Sequence, residues 1–180
     1  MLVRVISKLR GDFMSRMWMI RAGENANLIE DFINKEVVAI GWNEIGDLTN
    51  VKSIQEIKNL IIKNYPEFSK GKIIMTASQI KKFKFDIKIG DYVVTYDPNR
   101  RIYHLGKINS DYQYNTKLIE FFHIRKVKWE HQIPRDKLTA GAKNSLGAIS
   151  TLFEINENIR GEFFNIINGK TISDGEMARF

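Results

Sequence analysis

Apolar residues along this chain occur in short runs and in helical patterns, separated by segments that contain glycine, proline and asparagine. Runs of β-branched and aromatic residues predict strands, and apolar residues three and four positions apart predict helices. The predicted strands cover residues 18–22, 37–40, 88–108 as a hairpin and 118–129, and the predicted helices cover 28–33, 53–61, 78–85 and 154–167. Loops are predicted over 43–51 and around Pro66 and Gly71, and a turn or short helix is predicted over 143–153.

Residues 88–108 predict a β-hairpin that carries cations and aromatic rings side by side. Asp97-Pro98-Asn99 has the chemistry of a turn, because proline presets φ and the Asp and Asn side chains bond the nearby backbone. Arg100 and Arg101 follow the turn, while Tyr96 and Tyr103 flank it. Phosphate-binding cations beside rings that stack on bases are what a nucleic-acid surface requires. The alternative is an ordinary hairpin with a solvated polar face.

The arrangement of the predicted elements indicates the fold class. Helices lie between the early strands, and hairpin-like pairing follows later in the chain. This order predicts an α+β fold with a strongly curved, mostly antiparallel sheet or partial β-barrel flanked by helices. A doubly wound parallel sheet is not expected, because the alternation of strand and helix fails after residue 90.

Composition bounds the class of protein. The chain has 180 residues, of which 43% are hydrophobic, and this predicts one globular domain with a real core. It has no cysteine, which excludes disulfides, thiolate zinc sites and thiol nucleophiles. Its apolar runs fall short of the roughly 18 residues that a membrane span needs. We therefore expect a soluble, cytoplasmic protein that binds no membrane.

Positive charge is concentrated in the middle of the chain. The formal net charge is +7, and residues 70–138 hold fifteen Lys and Arg against seven Asp and Glu. This asymmetry favours a polyanionic partner, although lysine-rich faces also serve solubility alone. The cations predicted to contact a nucleic-acid backbone are Lys81, Lys82, Lys84, Arg100, Arg101, Lys107, Arg125, Lys126 and Lys128.

Sequence signatures of catalysis and cofactor binding are missing. The chain has neither a GxxxxGK[ST] loop nor a GxGxxG motif. His104, His123 and His131 lie too far apart for a recognisable zinc pattern. The acidic residues do not form the carboxylate and lysine set of a nuclease strand. We predict no catalytic residue, no metal and no cofactor; a nuclease is the alternative from another class, and metal-dependent cleavage of DNA would establish it.

Aromatic and polar residues near strand ends supply the candidate binding chemistry. Trp18 and Trp42 each stand at the edge of a predicted strand, beside a turn that contains glycine. Trp18 is predicted to pack in the core. For Trp42 the sequence leaves two roles open, namely core packing and the wall of a stacking pocket. Trp129 is undecided between the same two roles. Ser78 and Gln79 begin a basic helix, where they either hydrogen-bond a ligand or cap the helix.

Six segments together carry a resemblance to a known family. They are WMIRAGEN at 18–25, VVAIGWNEIGDL at 37–48, ASQIKKF at 77–83, IKIGDYVVTYDPNRRIYHLGKI at 87–108, RKVKWE at 125–130 and NSLGAISTLF at 144–153. With these residues the chain resembles the EVE-like branch of the PUA-like superfamily, which includes the YTH and ASCH domains. It is most similar to the versions found at the N-terminus of McrB-type modification-dependent restriction GTPases, and the corresponding module of Mrr-like endonucleases is also similar.

The resemblance implies a PUA-like β-barrel sheet flanked by helices, with a pocket between the first strand, the Gly41-Trp42 turn and the helix at Gln79. In relatives this pocket takes a flipped, modified base inside an aromatic cage. Relatives often have a tryptophan where this chain has Lys72, in the run KIIMTAS, so one wall of the cage is expected to be lacking. By position, the pocket candidates are Arg21, Ala22, Gly23, Trp42, Ser78, Gln79, Tyr96 and Asp97.

The resemblance further implies a DNA-binding targeting domain of a McrB-like restriction system that defends against foreign DNA. In such systems a separate AAA+ motor hydrolyses GTP and a partner nuclease subunit cuts, so this segment is expected to bind DNA, modified or plain, without being an enzyme. An RNA-binding PUA-like module, the N-terminal module of an Mrr-like nuclease and a domain that docks acidic proteins are the alternatives. The expected organisation is an N-terminal appendage over 1–15, the nucleic-acid-binding domain over 16–168, and a linker over 169–180 toward a further C-terminal module.

Overall fold

The computed structural model describes residues 15–169 of the chain. Within them a seven-stranded sheet curls strongly into a half-barrel, and helices flank it. The strands are β1 (Met17–Ile20), β2 (Val37–Ile40), β3 (Tyr92–Asp97), β4 (Ile102–Ile108), β5 (Gln113–Tyr114), β6 (His123–Pro134) and β7 (Leu152–Glu154). The helices are α1 (Ile29–Asn34), α2 (Ile54–Asn64), α3 (Lys70–Lys81), α4 (Ala140–Leu146) and α5 (Glu157–Ile167). Short 3-10 turns cover Glu24–Ala26, Asn43–Ile45 and Arg135–Lys137, and α3 runs on into a π-helical turn at Lys82–Asp86.

The strand order is β2-β6-β4-β3-β1-β7, and β5 pairs with β6 beside this path. β1 runs parallel to β3, and the other pairings are antiparallel. This confirms the predicted architecture at the level of a mixed fold with a strongly curled, mostly antiparallel sheet and helices outside it. The predicted hairpin is confirmed as well, because β3 and β4 pair from Tyr92 and Lys107 to Asp97 and Ile102.

The sheet is buried on both faces, and the residues of β1 show how. Side chains alternate across a strand, so Trp18 and Ile20 join one hydrophobic core while Met17 and Met19 join a second. The first core is completed by α1, α2 and α3, and the second is completed by α4 and α5. All four residues of β1 are fully buried as a result. The loops that leave this strand therefore start from a firmly held position.

Two of the three tryptophans belong to this framework. Trp18 is fully buried, as predicted, and its indole Nε1 donates to the Asp91 carboxylate at 2.9 Å. Trp129 is half-buried against the first core, and its Nε1 donates to the Phe32 carbonyl at 2.9 Å. The undecided role of Trp129 is thus resolved in favour of packing.

Helix α3 begins eight residues earlier than the sequence pattern predicted. It starts at Lys70, after an N-cap at Ser69 whose hydroxyl accepts from the Lys72 backbone N–H at 3.2 Å. Ser78 therefore lies inside the helix and caps nothing. The pattern misled because Ile74 and Met75 are exposed on this helix while Ile80 is buried, so the apolar residues do not form one stripe.

Two further predictions need correction in the second half of the chain. The strand expected over 118–129 is β6, which begins at His123 and continues to Pro134. The turn or short helix expected over 143–153 is divided between the end of α4 and the short strand β7. Strand β7 has three residues and exists because it pairs with β1, opposite Ile20 to Trp18. A strand this short has no periodicity of its own that a sequence could reveal.

The ends of the chain were also the subject of predictions. The appendage expected over 1–15 and the linker expected over 169–180 lie outside the described residues, apart from Ser15 and Gly169. Among the helices of residues 15–169, none has the length and apolarity needed to cross a membrane.

Gly106 lies at an irregularity where β4 shifts its register against β6, and we predict that this position admits no side chain. A Cβ atom there would lie 2.5 Å from the Lys128 carbonyl oxygen and 2.8 Å from Cγ1 of Val127. Because the first neighbour is backbone of an adjacent strand, Gly106→Ala should lower the free energy of unfolding by roughly 1–3 kcal/mol. Urea denaturation of the variant measures this loss.

Gly161 provides the matched control for this substitution. It lies inside α5, and a Cβ atom there would meet nothing within 4 Å. Gly161→Ala should therefore raise the free energy of unfolding by up to about 1 kcal/mol, since glycine is the weaker helix former. Equal stability of the two alanine variants would contradict the packing described for β4 and β6.

Candidate functional site

A cavity of about 810 Å³ opens where several strands end. Arg21 follows β1, Gly41 follows β2 and Pro98 follows β3, and each of these residues lines the cavity. Loops that precede β6 and β7 complete the wall. The lining residues are Arg21, Ala22, Gly23, Glu24, Asn25, Ala26, Gly41, Trp42, Tyr96, Pro98, Phe121, Gly147, Ala148, Ile149 and Thr151. The cavity is thus built from segments that are held by the sheet but lie outside it.

Three aromatic rings face this cavity, from Trp42, Tyr96 and Phe121. The Tyr96 ring lies 4.7 Å from that of Tyr103, centroid to centroid, and this contact supports it from behind. Phe121 packs over Gly41, where an added Cβ atom would lie 3.4 Å from the ring, at van der Waals contact. The sequence analysis missed Phe121, because the segment that contains it was predicted to be strand.

The position at which the resemblance predicted a missing aromatic wall, Lys72, does not line the cavity. Lys72 lies in the first turn of α3 and outside the cavity lining, with its ammonium 3.9 Å from the centre of the Phe68 ring. Phe121 supplies the third ring from a distant part of the chain. No local motif around residue 72 could have shown this.

Backbone in the left-handed region is concentrated at the cavity. Asn25, Ala26 and Trp42 have φ values of 51°, 58° and 60°, and Gly23 has a φ of 76°. For residues other than glycine this conformation costs roughly 1–2 kcal/mol each. Such strain persists where the surrounding structure imposes it, and it is enriched at functional sites. The conformation of Trp42 turns its indole toward the cavity at the cost of intrinsic backbone stability.

Side-chain hydrogen bonds hold the Trp42 turn in place. Asn43 donates from Nδ2 to the Glu120 carbonyl at 2.9 Å, and its Oδ1 accepts from the Phe122 backbone N–H at 3.0 Å. These two bonds tie the turn after β2 to the segment that carries Phe121. The two aromatic walls therefore keep a fixed separation.

A buried histidine, His123, also holds the Trp42 turn in place. His123 Nε2 lies 3.3 Å from the Trp42 carbonyl oxygen, and Nδ1 lies 2.7 Å from the Tyr112 hydroxyl. The Leu48 backbone N–H donates to that hydroxyl at 3.1 Å, so the hydroxyl is free to donate to Nδ1 and Nε2–H to the carbonyl. Burial lowers the pKa of His123, which keeps the neutral ring that this chain of bonds requires.

Arg21 holds the loop that forms the opposite wall. Its Nε donates to the Ser150 carbonyl at 3.1 Å, and its Nη2 donates to the Leu146 carbonyl at 3.2 Å and to the Ala148 carbonyl. The Arg21 backbone N–H donates to the Thr151 carbonyl at 2.9 Å. The guanidinium therefore lines the cavity while several of its donors position the wall.

Five of the predicted pocket residues line the cavity, and three do not: Ser78, Gln79 and Asp97. Gln79 contacts the residue next to the lining residue Thr151, because its Oε1 accepts from the Leu152 backbone N–H at 3.1 Å. Ser78 is in the interior of α3. These assignments as base contacts are corrected to supporting positions.

Asp97 is fully buried and shapes the hairpin turn. Its Oδ1 accepts from the backbone N–H of Asn99 at 3.0 Å and of Arg100 at 3.1 Å. Its Oδ2 accepts from the Arg100 guanidinium at 2.7 Å. Burial by itself raises the pKa of Asp97, but the hydrogen bonds from Arg100 outweigh it and leave the pKa lowered.

Arg125 requires a correction among the predicted phosphate contacts. It is 2% exposed, and it donates to the carbonyls of Phe83 at 2.8 Å, Ser110 at 3.1 Å and Lys84 at 3.1 Å. Burial lowers its pKa to about 10. The residue is a structural cation and reaches no phosphate from this position.

The other predicted cations lie on different parts of the surface. Lys107, Lys126 and Lys128 project on one face of the sheet, since Lys107 pairs with Lys128 and Lys126 is two residues away on β6. Four more carry contacts of their own: Lys81 with Asp86 at 3.0 Å, Lys84 with the Tyr112 ring at 4.7 Å, Arg100 with Glu30 at 2.8 Å and Arg101 with Asp136 at 2.6 Å. Lys82, at the start of the π-helical turn, lies near Glu154. These cations are thus distributed over α3 and its π-helical turn, the β3–β4 hairpin and β6.

A basic cluster around Asp136 was only partly predicted. The pKa of Asp136 is lowered first by its hydrogen bond with Arg101, and further by the nearby charges of Lys143 and Arg135. Burial raises the pKa of Tyr103, and the nearby charge of Arg135 opposes this rise. The Tyr103 ring in turn contacts the ring of the cavity residue Tyr96. We call Arg101, Arg135 and Lys143 the hairpin-tip cluster. Arg135 and Lys143 escaped the sequence analysis because they lie in weakly patterned segments after β6.

The described residues show no cluster of candidate metal ligands. Among residues 15–169, no group of three or more His, Asp or Glu side chains is placed to hold a metal ion. The cavity lining offers a single carboxylate, that of Glu24.

The profile of one protein family matches the chain, over residues 18–156, and its description is a domain of unknown function (DUF8426). That range contains every residue that lines the cavity. No curated protein matches the chain.

Proposed function

The chain belongs to the DUF8426 family, and we propose that it is a DNA-binding domain whose cavity holds a base turned out of the duplex. The observation that carries this proposal is the set of three aromatic side chains around one open cavity, Trp42, Tyr96 and Phe121. A volume of about 810 Å³ falls within the roughly 300–1,000 Å³ of pockets that take small organic ligands. Stacking of a base on an aromatic side chain contributes roughly 1–3 kcal/mol.

The polar lining suits the edge of a base. Glu24 and Asn25 are exposed in the wall, next to the backbone of Gly23. A carboxylate accepts from an exocyclic amino group, and an amide both donates and accepts. Enzymes and readers that extrude a base use the same combination, aromatic stacking on the faces and hydrogen bonds at the edge.

The likeness to the EVE-like branch of the PUA-like superfamily supports the same proposal. Its six segments include the β1 end, the Trp42 turn and the loop 147–151, which the structure brings together around the cavity. We propose on this basis that the curled sheet is PUA-like, and that the domain targets a McrB-type restriction system to DNA. The motor and the nuclease subunit of that system would then be its functional partners.

Phosphate contacts are proposed for the hairpin-tip cluster. A strand that delivers a base to the cavity must pass beside its rim. Arg101 lies in the turn that follows the lining residues Tyr96 and Pro98, and the Arg135 backbone N–H donates to the Arg101 carbonyl at 2.9 Å. Lys143 lies on α4, just before the lining loop 147–151. Lys107 and Lys128 lie toward the other end of the hairpin, about six residues of strand away. Phosphate neutralisation makes affinity depend on salt, with a slope of about −0.9 in log–log form for each contact.

We expect the affinity for a short DNA duplex to fall steeply between about 50 and 200 mM salt. The double substitution Arg135→Ala, Lys143→Ala should make the log–log slope shallower by about 2, one for each lost phosphate contact. Fluorescence anisotropy over a salt series measures both slopes. The control is Lys128→Ala, on β6 toward the other end of the hairpin, which should leave the slope unchanged.

Each other result has a definite meaning. A flat salt response of the unmodified chain would contradict binding through phosphates. A loss of slope in Lys128→Ala, with none in the double variant, would move the DNA to the surface formed by Lys107, Lys126 and Lys128. Displacement of DNA by equal amounts of RNA would favour the RNA-binding alternative, and cleavage in the presence of Mg²⁺ would favour a nuclease.

A further inference from the structure

The loop between α4 and β7 carries a fully exposed aliphatic side chain at the mouth of the cavity. Ile149 is 99% exposed and lines the cavity with Gly147 and Ala148. The other large exposed apolar residues, among those described, are between 39% and 62% exposed. Burying an isoleucine gains roughly 1.5–3 kcal/mol, so a partner that covers Ile149 would recover free energy that the isolated domain leaves unused.

The loop presents Ile149 from a fixed position. Arg21 donates to the Ala148 and Ser150 carbonyls, which lie on either side of Ile149, and to the Leu146 carbonyl at the end of α4. Arg21 itself follows β1, which is fully buried. The tip is therefore held on both sides by the residue that directly follows β1, while the Ile149 side chain stays exposed to solvent.

We propose that Ile149 is a wedge that enters the base stack at the place vacated by an extruded base. This inference rests on the proposed function and deepens it. Extrusion leaves a gap in the duplex, and proteins that distort DNA fill such gaps with apolar side chains. A residue at the rim of the receiving cavity, apolar, exposed and braced, has the position and the chemistry for this role.

The basic and aromatic surroundings favour DNA over an apolar partner at this tip. The loop shares the cavity lining with the rings of Trp42 and Phe121. Lys143 of the hairpin-tip cluster lies on α4, four residues before Gly147, the first lining residue of the loop. The neighbours of Ile149 in the loop are small, which lets the backbone approach a duplex closely. In this arrangement Ile149 occupies the gap in the base stack, and the cavity receives the extruded base.

The test compares duplex with single-stranded DNA of the same sequence. Ile149→Ala should weaken duplex binding about tenfold, since closing the gap contributes part of the few kcal/mol that unstacking costs. Single-stranded binding should change less than about twofold, because no stack has to be opened. Ile62→Ala is the matched control, an aliphatic residue that is 51% exposed on α2, outside the cavity lining, and it should change neither affinity.

A second substitution tests the bracing. Arg21→Ala releases the loop, so it should weaken duplex binding in the same direction as Ile149→Ala. The double variant should lose less affinity than the two single losses combined, because both changes remove one device. Strict additivity would overturn the claim that Arg21 acts by positioning Ile149.

The outcomes separate the wedge from the proposed function. Duplex binding of Ile149→Ala equal to that of the unmodified chain would overturn the wedge and leave the cavity untouched. Equal weakening on duplex and single strand would also overturn it, and would mean that Ile149 contributes only as a residue of the cavity wall. Failure of the unmodified chain to bind either form of DNA would instead overturn the proposed function.

Discussion

Replacing Arg125 by methionine should lower the free energy of unfolding by about 3–5 kcal/mol, because buried carbonyl groups lose their hydrogen-bond donor. The guanidinium bonds the carbonyls of Phe83, Lys84 and Ser110, and so joins the π-helical turn and the loop before β5 to strand β6. Methionine fills similar space but donates no hydrogen bond. Three carbonyls would lose their donor, and each unsatisfied buried group costs roughly 1–3 kcal/mol. Urea denaturation measures the effect.

The neighbouring residue is the control. Lys126→Met changes an exposed side chain on the same strand, so its effect should stay within about 0.5 kcal/mol. Arg125→Lys should restore only part of the stability, because an ammonium cannot reproduce the planar fork. An Arg125→Met variant with unchanged stability and lost DNA affinity would instead return Arg125 to the phosphate contacts.

Replacing Trp42 by glycine should weaken DNA binding by roughly 10- to 100-fold, the equivalent of losing one stacked base, while the fold stays nearly as stable. Glycine adopts the φ of 60° found at this residue without strain. The relief of roughly 1–2 kcal/mol offsets the packing that the half-buried indole loses. Anisotropy gives the binding loss, and urea denaturation gives the stability.

Trp42→Phe is the variant that separates the two effects. It keeps both an aromatic ring and the left-handed backbone, so it should retain most of the affinity without any gain in stability. A Trp42→Gly variant that binds DNA as tightly as the unmodified chain would show that the indole is not a wall of the binding site. A variant that loses affinity because it unfolds would show that Trp42 is a packing residue.

Local chemistry made the hairpin and one helix predictable. Asp97 forms the turn bonds expected of it, and Ser53 caps α2 by accepting from the Glu56 backbone N–H at 3.2 Å. Helix α3 failed the same approach, because Ile74 and Met75 are exposed on it. This helix is stabilised by the packing of Ala77 and Ile80 in the core. Hydrophobic periodicity predicts a helix only when its apolar residues form a single stripe.

Arg125 shows a signal that was present and overlooked. In β6 the residues His123, Arg125 and Val127 alternate with Ile124, Lys126 and Lys128. Both lysines are exposed, whereas His123, Arg125 and Val127 are all buried. The period of two assigns Arg125 to the same face as Val127. A cation with that parity is a candidate for a buried hydrogen-bonded position and not for the solvent face.

The candidate cavity could be predicted only in part, because its lining residues come from segments that lie far apart in the sequence. Residues next to glycine-containing turns, such as Gly23 and Trp42, marked their own positions. Phe121 and Ile149 reach the cavity from segments about 80 and 110 residues further on. Their contribution depends on tertiary closure of the sheet, which no local pattern records.

The central claim is that the cavity receives an extruded base, and a mismatch tests it most directly. Opening a mismatched pair costs less than opening a Watson–Crick pair. The unmodified chain should therefore bind a duplex with one central mismatch about tenfold more tightly than the fully paired duplex, and Trp42→Gly should abolish that preference. Equal affinity for the two duplexes, in a chain that binds DNA, would contradict the account.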